Sequence, residues 1–356
     1  MMDWLHWAIF TGIILVFVLV MVMVLIMIER RGIARFQLRP GPNRVGPFGA
    51  LQPVADAIKV LTKEDIIPSA GDKWVHWMAP VIVFVPAFMI FAVVPFQKGA
   101  ILADLNIGIL YIIAISSVGV VGVFMAGWGS NNKYSLIGAM RAVAQMVSYE
   151  IPLVLSIVGV VLAAGALSMT TIVENQSIPY ILLQPLGFLI FFLGSSAELN
   201  RTPFDLLEAE SEIVAGYHTE YSGMKFALFY LGEYAHALAV AAVTTVLFLG
   251  GWKLPWGIIS DFPVAFIWFM AKMVAVFLLF LWVRATIPRL RVDQVMAFAW
   301  KGLFPLALAN MFIIAVEVLI WPNTPWPLIL VNFAAAGVLI VIWSRFFHTG
   351  GGRVEV

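Results

Sequence analysis

The stretch WAIFTGIILVFVLVMVMVLIMI, residues 7–28, runs for 22 residues without a charge. An α-helix rises about 1.5 Å per residue, so this stretch can cross a hydrocarbon core of about 30 Å. The segment before it holds Asp3 and no Lys or Arg, so we expect a retained membrane helix and not a cleaved signal peptide.

Similar apolar blocks recur through all 356 residues. Hydrophobic residues make up 62% of the chain and charged residues 12%, against roughly 25% charge in a soluble domain, which excludes a water-soluble globule. We predict an all-α polytopic integral membrane protein, a single membrane domain over residues 1–356. Nine transmembrane helices are expected, at 7–28, 74–95, 108–127, 149–168, 180–197, 225–250, 262–284, 303–321 and 327–347.

The basic residues indicate the orientation. If the N-terminus is outside, 18 of the 21 Lys and Arg residues fall on the other side, and only Lys98 and Lys253 lie outside. Lys and Arg collect on the cytoplasmic side of membrane proteins. We therefore expect an external N-terminus and a cytoplasmic C-terminus.

The composition also excludes several kinds of site. With no cysteine, the chain cannot supply thiolates to zinc or to iron–sulfur clusters, so any redox cofactor must belong to a partner. The five histidines are scattered without metal-binding spacing, and no metal site is predicted. Neither GxxxxGK[ST] nor a strand followed by GxGxxG is present, and no nucleophile constellation or nucleic-acid interaction is expected.

The first inner loop, residues 29–73, has an unusual pattern. Three prolines alternate with three glycines over 40–49, which predicts a series of turns. Apolar residues then recur at helical spacing and predict an amphipathic surface helix over 51–63: Leu51, Val54, Ile58 and Leu61. This helix either only anchors the chain or forms the floor of a cavity, with four charged residues at its mouth: Glu29, Arg30, Arg31 and Arg35.

The acidic inner loop, residues 198–225, carries many acids on the side that should be positive. It holds one arginine, Arg201, among six carboxylates: Glu198, Asp205, Glu208, Glu210, Glu212 and Glu220. The apolar residues between them indicate packing rather than a solvated loop. Packed carboxylates that repel one another have raised, coupled pKa values, so we expect them to respond to nearby charge.

Four ionisable residues lie within the predicted spans: Glu150, Glu233, Lys272 and Glu317. A charge at the membrane centre costs about 2.5 to 3.5 kcal/mol, so such residues usually mark ion or proton routes. Glu233 is the strongest candidate. The alternative is a structural ion pair of Glu233 with Lys272, and Glu317 is expected to reach the outer surface.

These segments also carry a family resemblance. ERRGIARFQLRPGPNRVGPFGALQPVADAIKVLTKE (29–64) and ELNRTPFDLLEAESEIVAGYHTEYSGMKFALFYLGEY (198–234) resemble the quinone-site membrane subunit of proton-pumping NADH:quinone oxidoreductase, respiratory complex I. SYE (148–150) and RATIPRLRVDQVM (284–296) add to it. The ninth span resembles some bacterial members, which implies a bacterial inner membrane.

The resemblance implies a role for each region. The first inner loop corresponds to the quinone entrance, with tunnel-lining positions at Arg30, Gln37, Asp56 and Lys59. Proton-coupling positions correspond to Glu150, Glu198, Arg201, Asp205, Glu208, Glu210, Glu212, Glu220, Tyr221 and Glu233. The basic inner loop, 284–302, corresponds to a charged junction with Arg284, Arg289, Arg291 and Asp293.

The same resemblance implies the cofactors and partners. Quinone, either ubiquinone or menaquinone, is the substrate, and this chain binds no cofactor of its own. FMN and iron–sulfur clusters are expected in partner subunits, which include a soluble electron-transfer arm and other membrane-arm subunits. The chain is expected to contribute to a translocase without being catalytic alone.

Two departures and two alternatives remain. Many members have proline where this chain has Leu207, and tyrosine where it has Val292; the absence of the proline removes a fixed turn from the acidic inner loop. One alternative is the membrane anchor of an energy-converting hydrogenase, which needs no quinone tunnel. The other is a stand-alone ion-coupled transporter that uses Glu233 and Lys272.

Overall fold

The computed structural model describes residues 2–206, 214–254, 263–321 and 327–346, and the elements in these ranges are helical apart from turns and one isolated β-bridge. The α-helices are α1 (Met2–Phe36), α2 (Gln52–Leu61), α3 (Lys73–Met89), α4 (Gly108–Gly129), α5 (Lys133–Ala164), α6 (Met169–Asn175), α7 (Tyr180–Leu183), α8 (Pro185–Glu198), α9 (Gly223–Phe248), α10 (Val264–Thr286), α11 (Val292–Ala297), α12 (Phe304–Ile320) and α13 (Pro327–Phe346).

The prediction of an all-α polytopic membrane protein is confirmed. Within the described ranges, seven helical segments are long and apolar enough to cross a membrane, and two shorter apolar segments, Pro185–Glu198 and Leu328–Ile342, accompany them. These nine segments match the nine predicted spans in order. Helix α1 exposes many apolar side chains, as a helix that faces lipid should.

The boundaries differ from prediction in three places. Helix α5 begins at Lys133, after an Asn132 side chain that accepts a hydrogen bond from the Tyr134 N–H, so most of the expected loop before residue 149 is helical. The fifth span is interrupted at Gln184, because the residue before Pro185 is pushed out of the helical conformation. The eighth span begins early, and α11 runs through a π-helical turn at Phe298–Leu303 into α12.

The predicted surface helix is present as α2. Its apolar residues Leu51, Val54, Ile58 and Leu61 are exposed on one side. The other side turns toward α1 and α9, so α2 does form the wall of a cavity.

Helix α9 lies at the centre of the fold and packs against α1, α3 and α10. From Tyr234 to Phe248 nearly all of its residues are buried, and its alanines allow close approach of the surrounding helices. Glu233 and His236 stand at the inner end of this buried stretch. Helix α9 therefore carries ionisable side chains into the middle of the helix bundle.

Candidate functional site

An apolar groove lies between α1, α2 and α9 and has a volume of about 330 Å³. Its walls are almost entirely apolar, and its two charged lining residues are Arg30 and Asp56. The lining residues are Leu19, Val22, Met23, Ile26, Arg30, Pro53, Asp56, Ala57, Val60, Phe226, Ala227, Tyr230 and Leu231. Such a groove suits a long apolar ligand with a polar end.

Arg30 and Asp56 form an ion pair in this groove, and Gln52 donates a second hydrogen bond to Asp56 at 3.0 Å. Partial burial alone raises the pKa of the Asp56 carboxyl, but the hydrogen bonds from Arg30 and Gln52 outweigh it and hold the pKa below its usual value. Asp56 therefore stays ionised at neutral pH, and the groove presents a fixed pair of opposite charges.

The other two residues expected beside Arg30 and Asp56 lie elsewhere. Gln37 is exposed and accepts a hydrogen bond of 2.7 Å from Arg39, and Lys59 is exposed on α2. Neither lines the groove within this chain. Of the four positions, the fold brings together Arg30 and Asp56, because helix α2 turns Asp56 toward α1.

A second feature is a cluster of four charged side chains, Glu29, Arg201, Glu233 and Arg284, which we name the buried charge cluster. Arg201 Nη1 donates to Glu29 at 2.8 Å, and Arg201 Nε lies 3.4 Å from Glu233. Arg284 donates to the other oxygen of Glu29. The side chains of Glu29 and Arg201 are each 4% exposed, so this network is shielded from solvent.

Burial favours the neutral form of Arg201, yet the nearby carboxylates of Glu29 and Glu233 raise the pKa of its guanidinium above the usual value. The guanidinium also lies 4.7 Å from the centre of the Tyr234 ring, a cation–π contact. Arg201 is therefore a permanent buried cation.

The contacts within the buried charge cluster contradict two sequence predictions. Glu29 does not stand at the mouth of a cavity but is buried with its two arginines, because it faces inward where Arg30 faces the groove. The alternative pairing of Glu233 with Lys272 is wrong. Glu233 lies beside Arg201, and Lys272 Nζ donates to the carbonyls of Leu249, Gly251 and Lys253 at the far end of α9.

Three further carboxylates have partners that the sequence did not reveal. Glu198 lies 3.3 Å from His236 Nε2, Glu150 accepts a hydrogen bond from Ser117, and Glu220 accepts one of 2.6 Å from Asn132. Each partner comes from a distant part of the chain. In the sequence, the three-residue spacing between Glu233 and His236 was the one local indication that His236 lies near a carboxylate.

Tyr221 is buried and its ring stacks on His76 at a centroid distance of 4.0 Å. Burial raises the pKa of its hydroxyl, although the Ser130 side chain partly opposes this effect. His218, three residues earlier, is buried too, and burial lowers the pKa of its imidazole to about 4. Both residues are therefore neutral at pH 7.

Small cavities connect these groups. One of about 30 Å³ is lined by Arg201, Arg284 and Glu233, and one of about 60 Å³ by Glu233, Glu198 and His236. A third, of about 40 Å³, is lined by Glu198, His236 and Ser116. Consecutive cavities share lining residues, and each has room for water.

The remaining predicted residues are less closely connected. Asp205 is half-buried, whereas Glu208, Glu210, Glu212 and the departure at Leu207 lie outside the described residues. Of the junction residues, Arg284 belongs to the buried charge cluster and Arg289 is half-buried, while Arg291 and Asp293 are exposed and 3.7 Å apart. The acidic and basic inner loops meet where the Leu290 N–H donates to the Pro203 carbonyl at 3.0 Å.

Glu317 also differs from expectation. It is 8% exposed and accepts a hydrogen bond of 3.0 Å from Asn332 on α13, which also donates to the Leu183 carbonyl. The prediction that Glu317 reaches the outer surface is wrong, because α13 supplies an internal partner. In the described part of the chain, no three His, Asp or Glu side chains are grouped to hold a metal ion.

Comparison with known proteins gives a consistent result. The sequence model of a family described as NADH dehydrogenase matches residues 9–315. The H subunit of the NADH-quinone oxidoreductase of Dehalococcoides mccartyi strain CBDB1 is 61% identical over 354 residues, 99% of both chains. The protein of the same name from Bacillus cytotoxicus is 52% identical over 318 residues, 88% of this chain and 95% of that one.

Proposed function

The chain belongs to the NADH dehydrogenase family and is a membrane subunit of an NADH-quinone oxidoreductase, and we propose that it forms the membrane part of the quinone site and links quinone reduction to proton movement. The observation that carries this proposal is the apolar groove with the Arg30–Asp56 pair. The groove lies between two membrane helices and the surface helix, where a lipid-soluble substrate can approach.

A quinone combines an isoprenoid tail with a head that carries two carbonyl oxygens. The apolar walls of the groove fit the tail, because they remove its surface from water without placing unpaired polar groups against it. Arg30 offers N–H donors to a passing carbonyl oxygen, and Asp56, itself held by Gln52, keeps Arg30 in place. We infer that the tail lies along α1 and α9 and that the head passes Arg30 on its way to the soluble subunits.

The link to proton movement is electrostatic. Glu29 and Arg30 are neighbours on α1, so the groove and the buried charge cluster lie beside two different faces of the same helical turn. A unit charge at 4 Å is worth about 4 kcal/mol at an effective dielectric of about 20, and one pKa unit corresponds to about 1.4 kcal/mol. Reduction of a quinone near Arg30 can therefore change the protonation of Glu233 through the cluster.

The partners and the orientation follow from the same proposal. The inner face carries Arg30, the acidic inner loop and the basic inner loop, and it contacts a soluble arm that holds FMN and iron–sulfur clusters. Other membrane-arm subunits take up protons from the carboxylates of the cavities. The N-terminus lies outside and the C-terminus in the cytoplasm of a bacterial cell, as the distribution of Lys and Arg indicates.

A photoreactive quinone tests where the substrate binds. We expect the probe, added to the intact complex and activated by light, to label peptides of α1, α2 or α9, and an excess of ordinary quinone to prevent labelling. Asp56→Asn removes the charged partner of Arg30 and should reduce the labelling severalfold. Glu174→Gln, which changes an exposed carboxylate near Lys98 on the other side of the protein, is the control. Labelling confined to other parts of the complex would refute the proposal.

A further inference from the structure

Among the described residues, His236 is the one histidine whose ring nitrogen lies within 4 Å of a carboxylate oxygen, and it lines two of the small cavities. It lies on α9, one turn beyond Glu233, and its Nε2 atom is 3.3 Å from a carboxylate oxygen of Glu198 on α8. The side chains of His236 and Glu198 are 18% and 13% exposed. Both are therefore largely enclosed by protein and contact the cavities with the remaining surface.

His236 stands where two cavities meet. The cavity of about 60 Å³ brings it together with Glu233 on the inner side. The cavity of about 40 Å³ continues from His236, Glu198 and Ser116. Its other walls are apolar, for example Ile112 and Leu153, apart from Ser195. Since both cavities share His236 and Glu198, a proton that leaves the first cavity for the second must pass this pair or the Ser116 hydroxyl.

Glu150 lines neither cavity, but a hydrogen bond joins it to the helix that supplies Ser116. Ser117, which follows Ser116 on α4, donates a hydrogen bond to Glu150 on α5. Leu153 and Ile157, one and two turns after Glu150 on α5, line the second cavity. Glu233 and Glu150 are therefore separated by the His236–Glu198 pair and the two serines, with no other ionisable side chain lining the second cavity in the described part of the chain.

We propose that His236 carries protons between Glu233 and Glu150, with Glu198 as its exchange partner, an inference that rests on the proposed coupling function. Imidazole suits this role because it takes up a proton at one nitrogen and releases one from the other. A protonated Glu198 gives its proton to Nε2, and the imidazolium releases the Nδ1 proton to water, so the net charge of the pair and the water is conserved. The neutral imidazole then carries its proton on Nε2, and movement of this proton back to Nδ1 restores the starting form of the ring.

The surroundings match a residue that exchanges protons. The ionisable groups around the first cavity are Glu198 from α8, Glu233 from α9 and Tyr217 from the acidic inner loop, and Arg201 contacts Glu233 from the inner side. The competing interpretation is a structural ion pair of His236 with Glu198, which would hold α8 against α9 without transferring protons.

The experiment uses the intact complex in proteoliposomes with His236→Asn and His236→Gln, which keep polar side chains but cannot carry a proton. Thr244→Ala is the control, because Thr244 is buried on the same helix, donates its hydroxyl to the Val240 carbonyl and lines neither of the two cavities. Three quantities are measured: NADH oxidation with a water-soluble electron acceptor, quinone reduction with its solvent deuterium isotope effect, and proton translocation.

We expect both His236 variants to oxidise NADH with the soluble acceptor at the normal rate, while quinone reduction and proton translocation fall at least fivefold. The solvent isotope effect on quinone reduction should rise, because proton transfer becomes rate-limiting, whereas a packing defect would leave it unchanged. Normal translocation and an unchanged isotope effect in both variants would overturn the role of His236. Absence of quinone reduction in the unmodified complex would instead overturn the proposed function.

Discussion

Replacing Glu29 by glutamine removes one of the two carboxylates from the buried charge cluster. In the native cluster the charges of Glu29 and Glu233 balance those of Arg201 and Arg284. The variant leaves a net positive charge in a site where the Glu29 and Arg201 side chains are each 4% exposed. We therefore expect a large loss of stability from one substitution.

The magnitude follows from this burial. Removing one partner of a buried pair costs about 3 to 5 kcal/mol, because the remaining charge stays desolvated without compensation. An exposed pair such as Lys98 and Glu174, which are 4.0 Å apart with side chains 64% and 48% exposed, contributes about 0 to 1 kcal/mol. Glu174→Gln is therefore a matched control for the loss of one carboxylate.

The assay is a heat challenge of the purified complex, followed by size-exclusion chromatography to determine how much of this chain stays assembled. At roughly 2 °C per kcal/mol, Glu29→Gln should lower the midpoint by about 6 to 10 °C, and Glu174→Gln by at most about 2 °C. The double variant Glu29→Gln with Arg284→Gln restores a neutral cluster and should recover part of the loss. Equal midpoints for the Glu29 and Glu174 variants would refute the reasoning.

Three other predictions concern separate parts of the structure. Glu233→Gln should lower quinone-linked NADH oxidation at least about tenfold, equal to about 1.4 kcal/mol, while the complex still assembles, because the Glu233 side chain is 29% exposed and its loss leaves the buried Glu29–Arg201 contact in place. Normal oxidation with normal proton translocation would contradict this prediction. Gly138→Ala should destabilise the protein by about 1 to 3 kcal/mol in the same heat challenge, because the new Cβ would lie 2.7 Å from the Gly216 Cα, whereas Gly12→Ala, with no atom within 4 Å, should not. Burial depresses the pKa of His218 to about 4 from an ordinary 6.5, so only the unfolded state takes up its proton between these values. Stability should fall as the pH drops through this window, by at most about 1.4 kcal/mol per unit, and less steeply in His218→Asn; equal slopes would contradict it.

The sequence predicted those features that depend on local pattern. Apolar runs located the nine helical segments, and the spacing of Leu51, Val54 and Ile58 located the surface helix. The pattern failed where a side chain or a proline decides the boundary. Asn132 starts α5 early, and Pro185 interrupts the fifth span.

The site was less predictable, because its contacts join distant parts of the chain. Glu29 and Arg284 are 255 residues apart in sequence, and Glu29 and Arg201 are 172 apart. No periodicity shows that Glu29 turns inward while Arg30 lines the groove, or that Lys272 binds carbonyls at the end of α9. The resemblance indicated which residues to consider, and the packing of α1, α8, α9 and α10 decided which of them meet.

The central claim is that this chain supplies the membrane part of a quinone site at the Arg30–Asp56 pair. The most direct measurement is NADH:quinone oxidoreductase activity, with and without a quinone-site inhibitor, of the complex that co-purifies with the tagged chain in mild detergent. The account predicts a large complex with inhibitor-sensitive activity that is lost in Asp56→Asn and retained in Glu174→Gln. Recovery of an isolated chain, or of a complex whose quinone reduction is unaffected by Asp56→Asn, would contradict it.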